Sequence, residues 1–101
     1  MTDIRLRFTE TDLLLEADEH AGDKIICAVA SDNVCNLINI LRHDKYKLIT
    51  FEWNADSGHT RVYAEVKPEY KERFIAIEDM IRIAFDALAE RYPDYIKVSH
   101  R

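Results

Sequence analysis

His20-Ala-Gly-Asp-Lys-Ile-Ile-Cys-Ala-Val-Ala-Ser31 is the stretch in which the chain turns from strand to helix. Upstream, Leu13-Leu14-Leu15-Glu16-Ala17-Asp18 has strand character. Gly22 permits a sharp bend. The Asp23 carboxylate is a suitable N-cap, because it can accept from the free amides of a first helical turn. The helix then runs from near Asp23 to Leu41 or Arg42, with Ile26, Val29, Ala30, Val34, Leu37, Ile40 and Leu41 on one side and Ala28, Asp32, Asn36 and Asn39 on the other. Cys27 falls at the edge of the apolar stripe, and Ser31 lies one turn beyond it.

Outward from this junction the pattern is simple. Ile4, Leu6 and Phe8 alternate with Arg5, Arg7 and Thr9, which gives a first strand, and Glu10-Thr11-Asp12 turns it into the leucine segment. Three consecutive leucines leave the phase of that second strand open. Tyr46 to Trp53 predicts a third strand, and Asn54 to Gly58 a loop or wide turn. Val62, Ala64 and Val66 alternate against Arg61, Tyr63 and Glu65, the clearest period-two segment in the chain, which Pro68 ends. A second helix spans about Tyr70 to Arg91, with Phe74, Ile77, Ile81, Ala84, Phe85, Leu88 and Tyr92 as its stripe. Glu78, Asp79, Arg82, Asp86 and Glu90 are expected to face away, with Ile75 and Ile83 on or near the polar side. Pro93-Asp94 stops the helix, and Tyr95 to Val98 forms a final strand. The expectation is a single α+β domain over residues 1–101, a largely antiparallel sheet packed with two amphipathic helices in the order β-β-α-β-β-α-β.

Composition narrows the function classes. Two glycines and two prolines among 101 residues, with 48% hydrophobic content, describe a folded body and leave no linker or low-complexity tract. A net charge of −5 gives no support to direct nucleic-acid binding and makes a basic peptide the easier partner. No segment is long or apolar enough to span a bilayer, and Met1 to Arg5 lacks a signal-peptide core, so a cytoplasmic protein with reduced cysteines is expected. On one helix, Cys27 and Cys35 stand roughly 12 Å apart along the axis, too far for a disulfide. No glycine-rich phosphate loop and no metal-ligand spacing is present, so neither cofactor nor metal is expected.

A cysteine near a helix N-terminus has its thiolate stabilised by unpaired backbone N–H groups. An imidazole brought close by a short turn can take its proton, and His20 stands at that distance in the chain, with Asp18 or Asp23 as candidates to orient it. The ordinary alternative is a cysteine serving as a small hydrophobe and a solvated histidine. His43, His59 and His100 carry weaker signals of the same kind.

Two segments resemble the ribosomal-processing cysteine protease family, often called Prp. The first is His20-Ala-Gly22 with Ile25-Ile-Cys-Ala-Val-Ala-Ser31. The second is Ala87-Leu-Ala-Glu-Arg-Tyr-Pro-Asp-Tyr-Ile-Lys-Val98. Chain length and element order are similar too. The resemblance implies a cysteine endopeptidase that removes an N-terminal extension from a large-subunit ribosomal protein, protein twenty-seven, or acts on a related peptide. It makes Cys27 the nucleophile and His20 the general base, with Ser31, Asp23 and Gly22 supporting the site. It implies a homodimer, for which Ile75 and Ile83 are the candidate contact residues. The chain departs from the family at Glu19, where a glycine is usual, at Lys24, where an acid is usual, and in a shorter loop after the histidine. Those departures keep open an inactive peptide-binding homologue, and the second helix keeps open a self-associating assembly protein.

Overall fold

Val62, Ala64 and Val66 are each at most 4% exposed, so the period-two segment turns one face wholly inward. The computed structural model describes residues 1–19, 24–56 and 58–101, and for residues 24–27 the backbone alone. Within these the elements are β1 (Thr2–Phe8), β2 (Asp12–Glu19), α1 (Lys24–His43), β3 (Leu48–Asp56), β4 (His59–Val66), α2 (Lys71–Arg91) and β5 (Ile96–His100). The expected α+β order is observed. Short 3-10 turns over Lys45–Lys47 and Pro68–Tyr70 precede β3 and α2, so the third strand begins two residues later than its aromatic content suggested.

The five strands form one sheet in the order β3-β4-β2-β1-β5. Three pairings are antiparallel, and β1 with β5 is parallel. The β1–β2 hairpin closes through Thr9, whose amide donates to the Asp12 carbonyl at 2.9 Å and whose Oγ1 accepts from the Asp12 amide at 3.0 Å. This turn sets the register Leu6↔Leu15 and Arg7↔Leu14. Leu13 and Leu15 therefore point into the core and Leu14 to the opposite face, which resolves the leucine phase.

Both helices cover the same face. Ala30, Val34, Leu37, Ile38 and Leu41 of α1 and Phe74, Ile77, Ile81 and Phe85 of α2 join the inward residues of the strands in one core. The stripe of α1 is rotated from its expected position, with Val29 40% exposed and Ile38 buried. Among the described residues the other face of the sheet is uncovered, and it is ionic. There Arg5 reaches Asp18 at 2.7 Å and Glu16 at 3.5 Å.

Two carboxyl groups sit inside this architecture. Asp44, 2% exposed, follows α1 and takes Arg73 of α2 in a forked pair, with Nε donating to Oδ2 at 2.5 Å and Nη2 to Oδ1 at 3.2 Å. Arg73, against the cost of burial and with help from His43 and Lys47, holds the Asp44 carboxyl at about 2. A depressed carboxyl stabilises the fold above its ordinary value, and that contribution disappears as pH falls toward the folded-state value. Because Arg73 is half exposed, we expect Asp44→Ala to cost about 2 kcal/mol at neutral pH, toward the low side for a broken ion pair, and little at about pH 2. Urea denaturation at both pH values checks it. Glu78 corrects the sequence expectation that it faces away. It is 4% exposed because it follows Phe74 by one turn and precedes Phe85 by two, inside the arc that meets the sheet.

Candidate active site

Glu19 ends β2, and the odd-numbered phase of that strand aims its side chain to the helix side of the sheet. Its amide donates to the Gly58 carbonyl at 2.8 Å, fixing the strand end against the β3–β4 connection. Gly58 has φ +77, which favours glycine, and a Cβ there would press on the Glu19 carbonyl oxygen at 3.3 Å. From α1, the Ser31 hydroxyl donates to the Glu19 carboxylate in a short hydrogen bond. This contact joins residues twelve apart in sequence and ties the second turn of α1 to the end of β2.

Those two residues flank the sequence-assigned pair. Glu19 directly precedes His20, and Ser31 follows Cys27 by one helical turn. His20, Gly22 and Asp23 lie outside the described residues, and for Cys27 only the backbone, in the first turn of α1, is described. Ser31 is half-buried and bonded to Glu19. Asp18, one of the two acids offered from sequence to orient His20, has partners among the described residues. Its oxygens meet His59 Nδ1 at 2.5 Å and Arg5 Nη2 at 2.7 Å on the opposite face of the sheet. His59, and after it Arg5, hold its carboxyl below the ordinary range. His43 and His100 bond to Asp44 and Asp86, at 3.1 and 2.8 Å. Among the described residues no three His, Cys, Asp or Glu side chains are grouped to hold a metal.

Beside the Ser31–Glu19 contact a cleft of ≈ 120 Å³ opens between α1 and the sheet. Its walls are mainly apolar, including Ala30, Val34, Ile38 and Ala55, and Trp53 stands at its mouth, 47% exposed. Neither Glu19 nor Trp53 was singled out as a site residue from sequence. Glu19 registered only as a departure from a motif. From sequence Trp53 is only the last residue of the third strand, and what sets it apart lies in its neighbours. It pairs with Val62 on an edge strand that α1 does not reach across, so its ring stays open.

No family model and no curated protein matches the chain. Solved structures do. The chain is similar to SMU.848 from Streptococcus mutans, with TM-score 0.73, 18% identity, and 99% of this chain and 93% of that one covered. It is similar to the essential ribosomal processing protease Prp from S. aureus in complex with a substrate peptide, with TM-score 0.73 and 15% identity over 100% of both chains. The same S. aureus protease with a covalently linked product peptide gives TM-score 0.70 and 20% identity, again over 100% of both. The fold therefore falls among small α+β proteins that lay two helices on one face of a five-stranded mixed sheet. Within that class, the chain has a Prp-like fold over its whole length.

Proposed function

We propose that this protein is a cysteine endopeptidase of the Prp kind, acting in the cytoplasm on an N-terminal extension of a large-subunit ribosomal protein or on a related peptide. Cys27 Sγ attacks the scissile carbonyl carbon while His20 accepts the thiol proton. His20 then returns that proton to the leaving amine, and water hydrolyses the Cys27 thioester. Backbone N–H groups left unpaired at the start of α1 favour the thiolate and are candidates to hold the oxyanion. The observation that carries this reading is the Ser31–Glu19 hydrogen bond. It draws together the strand end that leads into His20 and the helix turn that follows Cys27. Full-length likeness to a protease solved with a substrate peptide adds to it. Among the described residues no helix is long and apolar enough to cross a membrane.

The test is time-resolved mass spectrometry of the reduced protein with a peptide spanning the ribosomal-protein cleavage site, run beside Cys27→Ser. Cleavage at one bond by the wild type alone supports the proposal. Binding without cleavage favours the second reading, a peptide-binding homologue that does not cut. Glutamate in place of glycine before His20 favours that reading, because the carboxylate occupies a position that the family leaves without a side chain.

We also propose a homodimer formed through α2. Ile83 is 64% and Met80 67% exposed, on the side of the helix away from the sheet, whereas Ile75 is half-buried and a weaker candidate. Ile83→Glu is expected to shift the protein to monomer in light scattering with its circular dichroism unchanged. A monomeric wild type would overturn this.

A further inference from the structure

β3 is an edge strand whose outer side has no strand partner among the described residues. Nine residues of β3 present a free ladder edge, which natural proteins ordinarily block or use. The register with β4 shifts between Leu48 and Thr50, so Ile49 is the extra residue of a bulge and is 57% exposed. On the helix side of this strand, Ile49, Phe51 and Trp53 form an open apolar row, and Arg42 and Lys45 close the far end of an open groove of ≈ 440 Å³. Both cations are exposed, and among the described residues neither makes an ion pair. Trp53 lines this groove and also the cleft beside Ser31 and Glu19, so the two adjoin at its ring.

We propose that this groove receives an extended peptide that adds a strand to the free edge of β3 and is selected by a carboxylate side chain held between Arg42 and Lys45. The peptide is the substrate of the activity proposed above, and the inference takes its occupant from that reading. Main-chain groups of the peptide pair with β3. Alternate side chains fall on the helix side, against Trp53 and Phe51. From Cys27 to Arg42 the helix rises about 22 Å, the length of about seven extended residues. The carboxylate therefore belongs about seven residues from the scissile bond. Overall charge points the other way, since −5 favours a basic partner. Locally, the two uncompensated cations decide the choice at this end of the groove. The same net charge argues against a polyanion such as RNA, for which two cations are too few.

Trp53 is the only tryptophan, so its fluorescence reports this groove and the cleft that adjoins it. The probes are capped ten-residue peptides alternating serine with valine, with glutamate or lysine replacing the valine at either end. They are titrated into full-length Cys27→Ala protein. We expect the better-placed glutamate peptide to bind about tenfold more tightly than its lysine counterpart, the sum of two modest charge pairs. Arg42→Glu/Lys45→Glu, both at exposed positions, should reverse that order, and N-methylation of alternate peptide amides should abolish binding. Equal titration by glutamate and lysine peptides, or a preference that survives the charge reversal, overturns the proposal. So does a fluorescence change with oligouridine and none with peptide. Cleavage of the same peptides by the unmodified protein is scored separately. Charge-selective binding without cleavage leaves the groove standing and removes the protease, whereas cleavage without charge selectivity does the reverse.

Discussion

On the proposed mechanism, Cys27→Ala is expected to lower peptide hydrolysis by about 10⁴-fold or more, as loss of a covalent nucleophile does. His20→Ala is expected to lower it by about 10²- to 10⁴-fold, the usual contribution of a general base, because the thiol must then ionise and protonate the leaving amine unaided. Rates alone do not separate a catalytic pair from residues that merely hold the fold, so alkylation by iodoacetamide as a function of pH is the decisive readout. In a Cys35→Ser background, which removes the exposed second thiol, Cys27 should react well below the ordinary thiol value of about 8.5. Removing His20 should move that profile upward. Ser31→Ala acts through position. It frees the Glu19 carboxylate from its hydroxyl partner and is expected to lower turnover much less than His20→Ala does. A profile at the ordinary thiol value, unchanged in His20→Ala, would sink the assignment of both residues.

Local periodicity made the fold legible at this scale. Val62, Ala64 and Val66 alternate because the inner face of β4 is covered and the outer face is not, and the sequence records that asymmetry directly. The leucine run did not, because three apolar residues in succession satisfy either phase. Only the Thr9 turn and the pairing of Leu6 with Leu15 choose between them. The parallel pairing of β1 with β5 was equally out of reach, since it joins the two ends of the chain. The same distinction holds for the site. Cys27, His20 and Ser31 are neighbours in sequence and are proposed from it. The Glu19–Ser31 contact spans twelve residues, and Trp53 stands out only by its place on an edge strand, so neither was legible there. Glu78 was misplaced for a third reason. A helix that packs on a sheet buries an arc wide enough to include a position whose residue type argues for water.

Glu78 should accordingly govern how stability depends on pH. Its carboxyl is buried, Oε2 has no hydrogen-bond partner among the described residues, and the nearest charges that raise it are Asp12 and Asp79. Burial first, and those two carboxylates after it, push it up to about 8, with Arg82 opposing, so it is protonated in the folded protein at neutral pH. In the unfolded chain the same group ionises near 4.5. Between those two values the unfolded state has lost a proton that the folded state keeps, and stability falls as pH rises. Above the folded value both states are ionised and the loss is complete, with a ceiling of about 5 kcal/mol, a large share of what a domain of this size possesses. Glu78→Gln removes the titration while keeping the shape. In urea denaturation its advantage over the wild type should be small at about pH 4 and grow to several kcal/mol at about pH 9. Glu78→Leu should add a roughly pH-independent gain, because it replaces an unsatisfied oxygen with apolar contact. Subtracting wild type from variant cancels the titration of distant groups, including the Asp44–Arg73 pair, whose effect lies at acid pH. A Gln-minus-wild-type difference that stays flat from acid to alkaline pH would mean that the Glu78 carboxylate reaches water after all, and that the inner face of α2 opens there.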